Sequence, residues 1–186
     1  MTEIVRPGRR RWQCVPERTR REGEDVVRPL TTGRAGAAAL LDDVGKAILR
    51  QLQEDGRRSY TAIGEAVGLS EAAVRQRVKA LTEGGVLQIV AVADPITLGF
   101  GVMASIGVRV SGDARQAAEA ISQIDEVDYC VLTSGRYDLQ LELVCRDNEH
   151  LLSVINDRIR PTPGVYETET SICLRVHKQT YNYGTP

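Results

Sequence analysis

The sequence predicts an α+β protein in two parts, three short helices followed by a strand, helix, strand, strand, helix, strand unit. Three observations carry that prediction. Apolar residues recur three and four apart from Leu41 to Leu81, and from Val102 onward they alternate in the strand period. Between the two rhythms stand the Gly84-Gly85 pair and the Asp94-Pro95 turn, which mark a boundary. A chain of 186 residues with 42% hydrophobic content has the material for one or two small cores.

The elements follow in order. Residues 1–39 mix Arg with Pro, Gly and Thr, end in "TTGRAGAAA" and hold no sustained period. They are expected to be a disordered arm, either a solvated tail (or the product of a start codon set too far upstream) or a source of sequence-independent phosphate contacts. The first helix places Leu41, Val44, Ile48 and Leu52 on one face, with Asp42 able to cap it and Gly56 able to stop it. Ser59 opens a second, "YTAIGEAV", in which Ile63 and Val67 lie four apart before Gly68 ends it. Ser70 caps a third helix running to about Glu83. Three such helices joined by tight turns form a helix-turn-helix unit, here residues 40–92 with a linker strand. The stretch "VLQIVAVADPITLG" is expected to be extended, as a wing or an interdomain strand.

Residues 93–183 change rhythm. Val102, Ala104, Ile106, Val108 and Val110 alternate as a strand, and Asp113 is placed to cap a helix with Ala114, Ala117, Ala118, Ile121 and Ile124 on one face. A second strand runs from Val127 to Thr133. After "SGR", Tyr137, Leu139, Leu141 and Leu143 alternate with Asp138, Gln140 and Glu142 as a third. Asp147 is placed to cap a helix with Leu151, Leu152, Ile155 and Ile159 inward, and "PTPGV" leads into a last strand reaching Val176. That order is the ferredoxin-like βαββαβ pattern, in which both helices cover one face of an antiparallel sheet. The open face needs a cover, and a homodimer supplies one by burying the same patch twice.

The third helix carries the most specific chemistry. At 100° per residue Val74, Val78 and Leu81 share a narrow buried sector, while Ala72, Gln76 and Lys79 project opposite, Arg75 stands on a flank and Arg77 lies near the core edge. Small Ala72 lets the backbone approach a groove floor. Gln76 is suited to adenine, Arg75 to guanine, and Arg77 to a phosphate or an ion pair within the domain. A solvated basic face is the plain alternative, but the capped preceding helix and the tight Gly68-Leu69-Ser70 turn stand where a recognition helix needs them. Ser70 and the amides at that helix's start can hold phosphate.

Charge supports the same division. Residues 1–41 carry nine Arg against five acids, residues 42–92 seven cations against seven acids, and residues 93–186 eight against thirteen. The front is basic and the rear acidic. The longest apolar run, Ile96 to Val108, has thirteen residues and three glycines, too short to span a bilayer. The N-terminus has no apolar h-region, so a cytoplasmic protein with no membrane partner is expected. Cys14, Cys130, Cys145 and Cys173 form no C-x-x-C pair and are expected to be reduced structural thiols. No metal-ligand cluster, P-loop or nucleophile elbow is present, so neither metal nor cofactor nor catalytic residue is assigned.

Residues 41 to about 183 resemble the Lrp/AsnC family of transcriptional regulators. The resemblance lies in the L-D-x-x-x-x-x-I-L opening at Leu41, the Gly56-Arg57 pair, the G-L-S turn at Gly68, the R-V-K-x-L-x-x-x-G ending from Arg77, and the G-x-x-D turn at Gly135. It implies a homodimer on double-stranded DNA, assembly into octamers or other multiples, and an amino-acid effector between C-terminal domains. The effector residues it implies are Thr133, Ser134, Gly135, Arg136, Tyr137 and Asp138. Arg136 would grip a ligand carboxylate or pair with Asp138 or Glu142 at the rim. Proteins similar to this family also act as haem-biosynthesis decarboxylases. That alternative would need converging titratable groups, and His150 and His177 both fall where an exposed histidine is ordinary.

Overall fold

The computed structural model describes residues 41–180. The expected arm lies outside those residues. Helices α1 (Asp43–Glu54), α2 (Tyr60–Val67) and α3 (Glu71–Glu83) form the N-terminal body. Each begins on the predicted cap: Asp42 accepts from the Gly45 amide, Ser59 from Ala62 and Ser70 from Ala73, satisfying amides that have no partner within the helix. Gly68 closes α2 in the left-handed region at φ 72°, a conformation glycine adopts without a Cβ clash. Ile48, Leu49, Leu52, Ile63, Val74, Val78, Leu81 and Leu87 pack between the three helices.

The segment after Leu87 departs from expectation. From 88 to 101 it forms no strand among the described residues, so there is neither a wing nor a ladder to another element. Ile89, Val90, Val92, Ile96 and Leu98 are half or more exposed there. Extended propensity alone does not make a strand, because the backbone groups also need a partner edge.

Strands β1 (Val102–Val110), β2 (Val127–Leu132), β3 (Leu139–Cys145) and β4 (Val165–Ile172) form one antiparallel sheet in the order β2-β3-β1-β4. Helices α4 (Ala114–Ile121) and α5 (Asn148–Ser153), the latter continued by a π-helical turn over Val154–Ile159, supply its cover. Ile106, Val108, Leu139, Leu141, Leu143, Ile121 and Ile159 are essentially sealed from solvent in this core. Cys145 lies among them, and burial, with Glu126, Asp128 and Asp147 adding to it, pushes its thiol up to about 11. It stays neutral and packs as a small hydrophobe. Cys130, Cys145 and Cys173 are free thiols.

Three details differ from the periodicity. Strand β4 ends at Ile172 rather than Val176, because its antiparallel partner β1 begins at Val102 and offers little edge beyond Met103, where the Cys173 amide donates. Leu152 is 52% exposed and Val154 is buried instead, because Leu151, Val154 and Ile155 share the i, i+3, i+4 stripe that faces the sheet and Leu152 stands about 100° away from Leu151. Tyr137 does not share the face of Leu139: β3 begins two residues later, and the Tyr137 ring lies against Gly107 of β1. Gly107 falls between Ile106 and Val108, so its missing side chain would project from the open face. A Cβ there would stand 2.5 Å from the ring.

Candidate functional site: nucleic-acid face and effector turn

Helix α3 is set against α2 by a close backbone approach. A Cβ on Gly64 would stand 2.5 Å from the Leu69 carbonyl oxygen. Only a glycine lets the turn fold back this tightly onto α2. The turn delivers Ser70 as a cap, its hydroxyl accepting from the Ala73 amide at 3.3 Å. From there Ala72, Arg75, Gln76 and Lys79 face solvent while Val74, Val78 and Leu81 are buried.

The cations of α3 are not bare. Arg75 Nη2 lies 2.5 Å from Glu71, one turn back, and its guanidinium stands 5.3 Å over the Tyr60 ring. Lys79 is 3.7 Å from Glu83, a loose exposed pair that competing phosphates can displace. Arg77 takes the second of its two sequence readings: Nη1 donates to both Asp42 oxygens at 2.8 and 2.9 Å, tying α3 to the cap of α1. The Gly45 amide first and Arg77 second hold the Asp42 carboxyl below its usual value. Arg77 therefore has a structural partner, and the outward face rests on Arg75, Gln76 and Lys79.

The Thr133 to Asp138 turn joins β2 to β3 beside Val108 and Val110 at the C-terminal end of β1. Its ends are fixed by the chain itself: the Thr133 amide donates to the Asp138 carbonyl at 2.9 Å, and the Asp138 amide to Val108 at 2.9 Å. The Asp138 carboxylate accepts from the Val110 amide at 2.8 Å, so part of its capacity is already used in shaping the turn. Ser134, Gly135 and Arg136 are exposed between these anchors. A Cβ on Gly135 would meet no atom within 4 Å, and its φ is not positive. Neither sterics nor backbone strain demands glycine there, and its absence of a side chain leaves the backbone open to approach.

Arg136 pairs with neither of the expected acids. Its Nη2 lies 3.0 Å from Glu169 on β4, its guanidinium is 5.2 Å from the Tyr137 ring, and the Tyr137 hydroxyl donates to the same Glu169. That bond is the chief reason the Tyr137 hydroxyl is raised above its ordinary value. Sequence reasoning missed Glu169 and Gly107. The β1 to β4 register sets Gly107 opposite Glu169, and no local spacing announces a pairing between distant strands.

His150 also differs from expectation. Its ring is 18% exposed, Nδ1 accepts from the Arg146 amide, and Nε2 therefore carries the proton that meets Glu126 at 3.0 Å. This pair fastens the start of α5 to the entry of β2. His177 is exposed. Among the described residues no group of three or more His, Cys, Asp or Glu is placed to hold a metal, and no helix is long and apolar enough to cross a membrane.

Two family models match the two parts, the AsnC-type helix-turn-helix domain over residues 41–82 and the Lrp/AsnC ligand binding domain over residues 103–183. The chain belongs to the Lrp/AsnC family. Among its curated relatives is an HTH-type transcriptional regulator of Pyrococcus furiosus, 34% identical over 144 residues that cover 76% of this chain and 97% of the relative. The transcriptional regulator AzlB of Bacillus subtilis is 32% identical over 146 residues, 76% and 93% of the two chains. Solved Lrp/AsnC structures superpose on it. The leucine response regulatory protein of Mycobacterium tuberculosis does so with TM-score 0.71 at 26% identity, over 78% of this chain and 100% of that one. A Neisseria meningitidis transcriptional regulator solved in complex with L-methionine gives TM-score 0.66 at 27% identity, over 78% and 96%. This Lrp/AsnC chain is accordingly a transcriptional regulator of that type, with an α+β architecture in which helix-turn-helix and antiparallel sheet follow one another.

Proposed function

We propose that this regulator binds double-stranded DNA as a homodimer, laying two copies of α3 into successive major-groove faces of a pseudo-palindromic site about one helical turn apart or a multiple of it. One observation carries the reading. A capped helix buries Val74, Val78 and Leu81 and turns Ala72, Arg75, Gln76 and Lys79 outward beyond a glycine-tight turn. Arg75 and Gln76 would meet base edges, Lys79 and Ser70 phosphates, and Arg77 would set the helix rather than touch DNA. Working in the cytoplasm, the dimer would answer an amino acid or related effector at the Thr133, Ser134, Gly135, Arg136, Tyr137 and Asp138 turn. The neisserial relative solved with L-methionine supports that class of ligand. An effector would act by its differing affinity for two arrangements of dimers, in octamers or other multiples. No observation favours the decarboxylase alternative, since the His150 ring is engaged by Glu126 and Arg146.

The test is fluorescence anisotropy with DNA from upstream of its own gene, at several salt concentrations, beside Arg75→Ala/Lys79→Ala. The double variant is expected to bind more weakly with a shallower salt slope, by roughly 0.9 for each phosphate it no longer neutralises. Unchanged affinity and slope would remove α3 from the interface.

A further inference from the structure

Glu71, the first residue of α3, is held from two sides. One carboxylate oxygen accepts from the Thr61 hydroxyl of α2 at 2.9 Å, and the other lies 2.5 Å from Arg75 Nη2. Arg75 is held in turn, because its guanidinium stands over the ring of Tyr60, the neighbour of Thr61, within cation–π range. Tyr60 is partly buried and packs against the helical core. The Thr61 hydroxyl first, and Arg75 second, keep the Glu71 carboxyl below its ordinary value, so the clamp is charged at neutral pH.

Building on the reading of α3 as the DNA-facing helix, we propose that Glu71 is a positioning residue that aims Arg75 at a base edge. A phosphate contact tolerates a mobile cation, because charge carries it whatever the orientation. Reading a base does not. It needs a planar fork held in one plane, and fixing that plane in the free protein removes an ordering cost from the binding step. Glu71 occupies one donor at Nη2 and Tyr60 covers one face, which leaves the rest of the five guanidinium donors for an acceptor pair such as guanine O6 and N7. A carboxylate at this place also repels phosphate. It therefore weakens binding to every sequence while sharpening the preference among them, as a device for specificity does.

An acid in the first turn of a helix also has a simpler use, opposing the macrodipole. That use needs neither Thr61 nor Arg75, which separates the two. The experiment first selects a consensus duplex from a random library with the full-length protein. Affinities for consensus and scrambled duplex are then measured by anisotropy for the parent, Arg75→Ala, Glu71→Gln and Thr61→Val, with a thermal melt of each. Glu71→Gln is expected to lower the consensus-to-scrambled ratio roughly tenfold, the scale of one bidentate base contact, while scrambled binding holds or strengthens. Thr61→Val keeps the charge at the helix start and should lower the ratio in the same sense without moving the melt. If Arg75→Ala collapses the ratio but Glu71→Gln and Thr61→Val preserve it, the positioning role is overturned and the DNA-facing reading survives. If the parent selects no sequence, or Arg75→Ala leaves the ratio intact, that reading fails and this inference with it.

Discussion

Arg136 shows what one residue can and cannot reveal. Its place after Gly135 is plain in the sequence, yet its partner is Glu169, thirty-three residues on and brought alongside by a strand register that no local pattern encodes. The caps were legible for the opposite reason. Asp42, Ser59, Ser70, Asp113 and Asp147 each accept from an amide two or three residues ahead, and such bonds depend only on neighbours. The Arg136 and Glu169 side chains are 70% and 51% exposed, so a ligand carboxylate can reach the guanidinium and compete with Glu169 for it. In a thermal-shift panel of amino acids, a ligand at tenfold excess over its dissociation constant should raise stability by about 1.4 kcal/mol. Arg136→Ala is expected to abolish the shift, and Glu169→Gln, which removes the competing charge, to enlarge it. A full shift in Arg136→Ala would leave Arg136 as a rim residue only.

At the scale of elements, the three N-terminal helices follow from spacing and punctuation, whereas the β1 to β3 region required alternation to be corrected at its ends. Tyr137 fits the period of Leu139, Leu141 and Leu143, but the turn releases it before β3 begins, and Gly107 gives it a seat on the other face. The π-turn of Val154–Ile159 is similarly hidden, since its residues have no composition that distinguishes them from an α-helix. The α2 to α3 junction is the element that the DNA-facing reading depends on, and Gly64 tests it. Alanine at an ordinary interior helix position would gain roughly 1 kcal/mol of helix propensity over glycine. Here its Cβ would fall 2.5 Å from the backbone oxygen of Leu69, an overlap of the kind that costs about 1–3 kcal/mol. Gly64→Ala should therefore lower the melting midpoint of the helical part and weaken DNA binding. A midpoint that is unchanged or raised would mean the turn is not set by that approach.

For the whole molecule, the charge gradient puts the excess cations early in the sequence, while the sheet and the linker expose apolar side chains. The open face of the sheet presents Met103 and Val144 on paired positions of β1 and β3, with Tyr129 on β2 51% exposed, beside the polar Ser105, Gln140 and Glu142. The linker adds Ile89, Val90, Val92, Ile96 and Leu98. Grouped apolar exposure like the linker's marks an interface more often than a solvated surface, and a second copy related by a two-fold axis would bury the linker and the partly polar sheet face twice each. Val144→Glu places a charge on that face without entering the core beneath the helices, where Leu141, Leu143 and Cys145 point. By sedimentation the parent should be a dimer or a larger multiple and the variant a monomer, with far-ultraviolet dichroism unchanged. The consequence reaches the DNA: a lone protomer engages one half-site, so the salt slope should fall to roughly half that of the dimer. A variant that stays dimeric would move the interface from the sheet to the linker, where Val92→Glu repeats the experiment. Persistence of the dimer and the full slope in both would exclude both surfaces.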